Sequence, residues 1–152
     1  MLSCLLRTKE FQSLKATSIE LVIDGDPVSW LAHAGFGNKA YNPRYTQKCY
    51  TIYTVQAQLY AVLKPQLPYS GPVSMEYVFH LAIAKNTSKQ KLEKMKAGEI
   101  PHIKRPDCTN MQKFYEDCLK NLVYKDDSQV VESVARKCYS DHPRTVIKVK
   151  LI

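Results

Sequence analysis

Apolar residues alternate most regularly from Val73 to Ile83, where Val73, Met75, Tyr77, Phe79, Leu81 and Ile83 oppose Ser74, Glu76 and His80. That period of two predicts a half-buried strand with His80 on its outward side. Ile19, Leu21 and Ile23 alternate with Glu20 and Val22 in the same way over 18–23, and Asp24-Gly25-Asp26-Pro27 stops the run. Residues 128–139 and Thr145–Ile152 predict two more strands joined across Ser140-Asp141-His142-Pro143. In the last, Ile147, Val149 and Leu151 alternate with Lys148 and Lys150, which suits a sheet with one wetter face.

Helical spacing is clearest at Met111, Phe114, Tyr115, Cys118, Leu119 and Leu122, which recur at i, i+3, i+4, i+7, i+8 and i+11. Thr109 with Gln112 three residues on reads as a capping box, and Pro106 keeps the preceding backbone extended, so the helix is expected to begin close to Asn110 and end near 121–123. Tyr45, Cys49, Ile52, Val55, Leu59 and Val62 predict another helix over 44–63, ended by Pro65 and Pro68 and covering one face of the sheet. A short helix within 86–98 has Leu92 and Met95 as its main anchors among many lysines and buries little. The order strand, helix, strand, short basic helix, helix, strand, strand makes residues 18–152 one α+β domain. Its sheet is expected to be mostly antiparallel or mixed, of about four strands, with helices packed on it.

Length and charge narrow the class. A chain of 152 residues is long enough to bury a core without staples. Residues 1–17 form an N-terminal extension, too short and, with Arg7 and Lys9, too charged for a signal peptide or membrane span. Twenty-two Lys and Arg against fourteen Asp and Glu give a formal net charge of +8, which favours a polyanionic partner. Five scattered cysteines with no C-x-x-C pair suit a reducing cytoplasm. Cys108, Cys118 and His102 match no common zinc spacing.

Two stretches look made for nucleic acid. Trp30, His33, Phe36, Lys39, Tyr41, Arg44 and Tyr45 interleave aromatic and basic side chains in a long loop, as strand-tracking and stacking surfaces do, although Trp30 and Tyr41 could equally anchor that loop on the core. Lys89, Lys91, Lys94 and Lys96 form a basic arm that runs directly into Lys104 and Arg105, where phosphate contacts are expected.

The chemistry concentrates in Lys104–Val131. Asp107 precedes the helix, Lys113 and Asp117 lie four apart on its polar face, and a returning strand can bring Asp126 and Asp127 back towards Asp107. Carboxylates from two elements beside an ammonium suit a hard cation and a phosphodiester. Read singly, the same residues are turn formers, a cap and a solvated ion pair.

The run Arg105-Pro106-Asp107-x-x-Asn110-x-x-Lys113-x-x-x-Asp117, followed by Asp126-Asp127-Ser128-Gln129-Val130-Val131, resembles the RusA family of Holliday junction resolvases. Ile23-Asp24-Gly25-Asp26-Pro27 is similar to that family's early strand and turn. The resemblance implies a homodimeric, Mg²⁺-dependent nuclease, with Mn²⁺ able to replace Mg²⁺, that cuts branched, four-way DNA in a cytoplasm of bacterial or phage origin. It implies that Asp107 and Asp127, with Asp126 beside them, hold the metal, that Lys113 assists catalysis, and that Thr109, Asn110 and Asp117 support them. Thr109 stands where the family usually has a second aspartate, which leaves a DNA-binding homologue with weak or no cleavage as the alternative. A structural module with an incidental basic surface would leave the clustered aspartates and Lys113 without a role.

Overall fold

The computed structural model describes residues 18–30, 44–62 and 67–152. The 1–17 extension, and Lys39 with most of the aromatic and basic loop, lie outside the described residues.

Strands β1 (Ser18–Asp24), β2 (Val73–Ala82), β3 (Val130–Ser140) and β4 (Arg144–Leu151) form one mixed sheet in the order β1-β4-β2-β3. β4 pairs antiparallel with both β1 and β2, while β2 and β3 run parallel. The parallel pair follows from the connection between its strands, which includes helices α2 (Lys89–Lys96) and α3 (Cys108–Leu119) and is long enough for a crossover. Helix α1 (Tyr45–Val62) lies between β1 and β2 in sequence.

The alternation read along β2 holds in three dimensions. Val73, Met75, Tyr77, Phe79 and Leu81 are buried, and with Ile19, Leu21 and Ile23 of β1 and Ile147, Val149 and Leu151 of β4 they build the sheet side of the core. Met111, Phe114, Tyr115, Cys118 and Leu119 of α3 form the other side, each contributing about 1.5–3 kcal/mol over exposure where the side chain is large and apolar. The opposite sheet face is wet, carrying the pairs Arg136–Glu76, Ser74–Glu132 and Lys148–Glu20.

Three local expectations are revised. Helix α3 begins at Cys108 with Asp107 as its N-cap, so Thr109 lies inside the first turn and caps nothing. Gln112 does not reach back to the helix entrance. Its amide donates to Glu116 Oε1 at 2.9 Å and to Ser133 Oγ on β3 at 2.7 Å. The capping box is instead Asp126 to Gln129, around the 3₁₀ turn Asp127–Gln129. The expected stripe of α1 holds only in part: Ile52, Val55 and Leu59 pack on the core, but the leading positions Tyr45 and Cys49 do not. Thr51, Val55 and Leu59 are buried, while Tyr45 is 67% exposed and Cys49 faces solvent. With Lys48 its only charged residue, α1 has too little polar contrast for periodicity to show where along the helix that inward face begins. Gln58 anchors it to β1, its Nε2 donating to Val22 O at 2.7 Å and its Oε1 accepting from Val22 N–H at 2.9 Å.

Candidate active site

The polar side of α3 is held against the segment leaving β1 by a buried tyrosine. Tyr115 points into the core, and its hydroxyl accepts from Val28 N–H at 3.1 Å and from Thr145 Oγ1 at 2.9 Å. Two residues on, Trp30 N–H donates to Asn110 O at 2.8 Å, across the first turns of α3. The Trp30 ring is thereby set under Lys113, whose Nζ lies 4.1 Å from the ring centroid.

Two clefts meet at this Trp30–Lys113 pair. The larger, about 600 Å³, has Trp30 in its wall together with Arg44, Arg105, Asp107 and Asn110. Asp107 occupies the N-cap position with extended backbone, yet its carboxylate makes no capping hydrogen bond and is exposed. The smaller cleft, about 230 Å³, contains Thr109, Lys113, Asp117 and Asp127, with Gln112 and Glu116 behind them. Asp107 and Asp127 therefore border different clefts on one helix face.

The 3₁₀ turn explains where the two consecutive aspartates go. Asp126 accepts from Ser128 N–H at 3.0 Å, and Gln129 Oε1 accepts from the N–H groups of Asp126 and Lys125, both at 2.9 Å. Lys120 Nζ lies 3.0 Å from Asp126 and 3.5 Å from Asp127. The Ser128 N–H and then the Lys120 ammonium hold the Asp126 carboxyl well below the usual carboxylate range, while Asp126 and then Asp127 raise Lys120. Asp126 is thus committed to the turn, and Asp127 presents a carboxylate to the cleft beside Lys113. Gln129 Nε2 ties the turn to the chain before β2 through Tyr69 O at 2.9 Å and Gly71 O at 2.8 Å.

The model of the family described as Endodeoxyribonuclease RusA matches residues 28–150. The chain belongs to the RusA family. A similar chain from Bacillus subtilis (strain 168), named "Uncharacterized protein YqaN", is 37% identical over 89 residues, covering 57% of this chain and 63% of that relative. The chain thus spans less than two thirds of that relative's length.

In this RusA-family chain Thr109, where the sequence resemblance implies an aspartate, lies in the smaller cleft with Lys113 and Asp127. An aspartate at that position would border the cleft that holds the lysine. Asn110 is fixed through its backbone to Trp30, and its side chain borders the cleft of Asp107.

The basic residues of the expected arm are placed differently from one another. Lys104 and Arg105 are exposed at the turn entering α3. Lys96 pairs with Asp141 at 3.2 Å and holds the Asp141 carboxyl below its usual range, so α2 is tied to the turn between β3 and β4. Lys89 and Lys94 are exposed, and Lys91 borders a separate hollow with Lys104 and Arg105.

A residue that motif reading missed is Lys137. In the parallel register of β3 with β2, Ser133, Ala135, Lys137 and Tyr139 pair with the core-facing Met75, Tyr77, Phe79 and Leu81, so they share the helix side of the sheet. Lys137 Nζ donates to Lys104 O at 2.6 Å and Pro106 O at 3.0 Å, fastening the turn that delivers Asp107. The only signal in the sequence was a lysine at an inward position of an alternating strand.

Proposed function

We propose that this chain is a Mg²⁺-dependent endodeoxyribonuclease that cuts four-way DNA junctions, acting as a homodimer with one site per subunit. The observation that carries the reading is the placement of Lys113. It stands on Trp30 between one cleft containing Asp107 and another containing Asp127, in a chain of the RusA family. A junction offers two symmetric strands, and a twofold dimer presents two symmetric sites.

Mg²⁺ takes oxygen ligands and is held by one or two carboxylates, with water and substrate phosphate completing its shell. The donors along α3 are hard oxygens: Asp107 in the larger cleft, and Asp117, Asp127 and the Thr109 hydroxyl in the smaller. Among the described residues no group of three or more His, Cys, Asp or Glu is gathered that could hold a metal ion. The carboxylates that would hold the cation, Asp107 and Asp127, border different clefts, so its remaining ligands would come from DNA phosphate and water. Bound there, Mg²⁺, or Mn²⁺ in its place, supplies Lewis-acid polarisation of the phosphate and a more acidic water.

Lys113 meets negative charge developing on the cleaved phosphate, in a position fixed before substrate arrives. Asn110 and Asp117 orient the groups around it. Arg44, Lys104 and Arg105 bring positive charge to the strand, as the net charge of +8 does over longer range.

The placement of Thr109 beside Lys113 and Asp127 supports a second reading, a homologue that binds junctions and cuts them weakly. A Mg²⁺ titration of cleavage on a synthetic four-way junction separates the two. Paired, symmetric, Mg²⁺-dependent cuts are expected. Junction binding with no cuts at any Mg²⁺ or Mn²⁺ concentration would leave the binding homologue, and no preference for junction over duplex would remove both.

A further inference from the structure

A third hollow, about 460 Å³, opens beside the larger cleft, with Arg105 bordering both. Its rim carries three exposed cations, Lys91, Lys104 and Arg105, and no carboxylate lines it. Thr87 and Ser88, which lead into α2 with Ser88 as its N-cap, border the same hollow. Ser88 makes no side-chain cap and the first turn of α2 contains no acidic residue, so the leading N–H groups of α2 keep their partial positive charge.

Aromatic rings complete the lining. Half-buried Tyr139 packs against His102, ring centroids 4.5 Å apart. His102 is 9% exposed, and its Nδ1 is buried without a hydrogen-bond partner, an arrangement that is costly unless a ligand or water completes it. Burial, then the nearby Lys137, lowers its pKa, which favours the neutral ring.

We propose that this hollow is a subsite for one unpaired nucleotide, with its phosphate against Lys91, Lys104 and Arg105 and its base on Tyr139. Cations alone would serve any backbone phosphate. A concavity of this size with an aromatic ring in its lining suits a nucleotide displaced from pairing, because base stacking requires the face of the base to be free. The inference rests on the reading of the α3 clefts as a DNA-cutting site, since Arg105 would place the displaced nucleotide next to the strand at Asp107. It also divides the lysines of α2, because of the four only Lys91 borders the hollow while Lys96 is held by Asp141.

The test is fluorescence anisotropy of the full chain, in EDTA, with two labelled probes: hexathymidylate and a hexamer with the same phosphates but abasic sugars. The intact strand is expected to bind about tenfold tighter than the abasic one, as one stacked base would give. Lys91→Ala, a change at an exposed residue, should weaken both probes several-fold and reduce the log–log salt slope by about 0.7. Tyr139→Leu should weaken only the intact strand, and Tyr139→Phe should restore it.

Equal affinity of the wild-type chain for the two probes would overturn the stacking role, whether or not the Tyr139 variant folds. An unchanged salt slope in Lys91→Ala would overturn the phosphate role. Because no metal is present, a chain that discriminates the probes but never cuts junctions loses the nuclease reading and keeps the subsite. One that cuts junctions but fails these binding tests loses the subsite alone.

Discussion

Lys113 Nζ rests 4.1 Å from the centre of the Trp30 ring, and Trp30 is held there by its own N–H bond to Asn110 O, three residues before Lys113 on the same helix. Helix and loop thus position the ammonium jointly. A cation on an aromatic face at an exposed site gains about 0.5–1 kcal/mol.

Removing the ring should leave Lys113 charged but loosely placed. Trp30→Leu is expected to lower single-turnover junction cleavage roughly 2- to 5-fold, the rate equivalent of that energy, with little change in junction affinity. Trp30→Phe should recover most of the rate. Equal rates for Leu and Phe would mean the ring contributes nothing through Lys113.

Asp107→Asn and Asp127→Asn should each abolish cleavage while junction binding survives or tightens, because less negative charge then repels the phosphates. Folding can be separated from chemistry at Asp107. Asp and Asn are comparable at an N-cap and the native carboxylate makes no cap bond, so Asp107→Asn should change stability by no more than about 0.5 kcal/mol. Wild-type cleavage rates in either variant would refute its role.

The strands and α3 were legible because burial there follows the sequence period: β2 has one buried face from Val73 to Leu81, and α3 buries five residues of its apolar stripe. On α1 the stripe was legible at Ile52, Val55 and Leu59 but not at Tyr45 and Cys49, since a helix with one charge gives little contrast. Caps were misplaced for a related reason. Thr109 and Gln112 have the local spacing of a capping box, but Gln112 is drawn to Ser133, twenty-one residues away, and no local pattern reveals that competition. The site was legible as a set of residues on α3 and the turn before β3. The pairing of Asp126 and Asp127 with Lys120, a residue the motif does not contain, was not legible there.

Thr109→Asp puts a carboxylate into the first turn of α3, which has no acidic residue, and should stabilise the helix by about 0.3–1 kcal/mol through its dipole. Since Thr109 borders the cleft of Lys113 and Asp127, the same change should lower the Mg²⁺ concentration giving half-maximal cleavage. Superimposable Mg²⁺ titrations would remove Thr109 from the site.

Stability should depend on pH through His102. Its pKa in the folded chain is lowered from 6.5 by burial, then by Lys137, so as pH falls the unfolded chain binds the proton first. Stability should therefore decline as pH drops below about 6.5 and level off once the folded state also protonates. His80, lowered by burial and then Arg144, adds to the same trend. Urea unfolding between pH 5 and 8 should show a shallower decline in His102→Gln than in wild type, and an identical decline would exclude His102 as a source.

Lys137 offers the sharpest separation between charge and position. Its ammonium holds two carbonyls of the turn ahead of Asp107, and hydrogen bonds from a charged donor contribute about 1.5–3 kcal/mol. Lys137→Met should cost stability on the order of 1–3 kcal/mol and free the turn. Cleavage should then fall more than junction binding, with a higher Mg²⁺ requirement, because Asp107 is no longer delivered to one place. The control is Lys148→Met on the wet face of the sheet, where the lysine is exposed and lies 3.9 Å from Glu20. That variant loses the same charge and leaves the turn intact. If the two variants cut and bind alike, Lys137 contributes only its share of the net positive charge. If Lys137→Met alone raises the Mg²⁺ requirement, the lysine acts through the two carbonyls it holds.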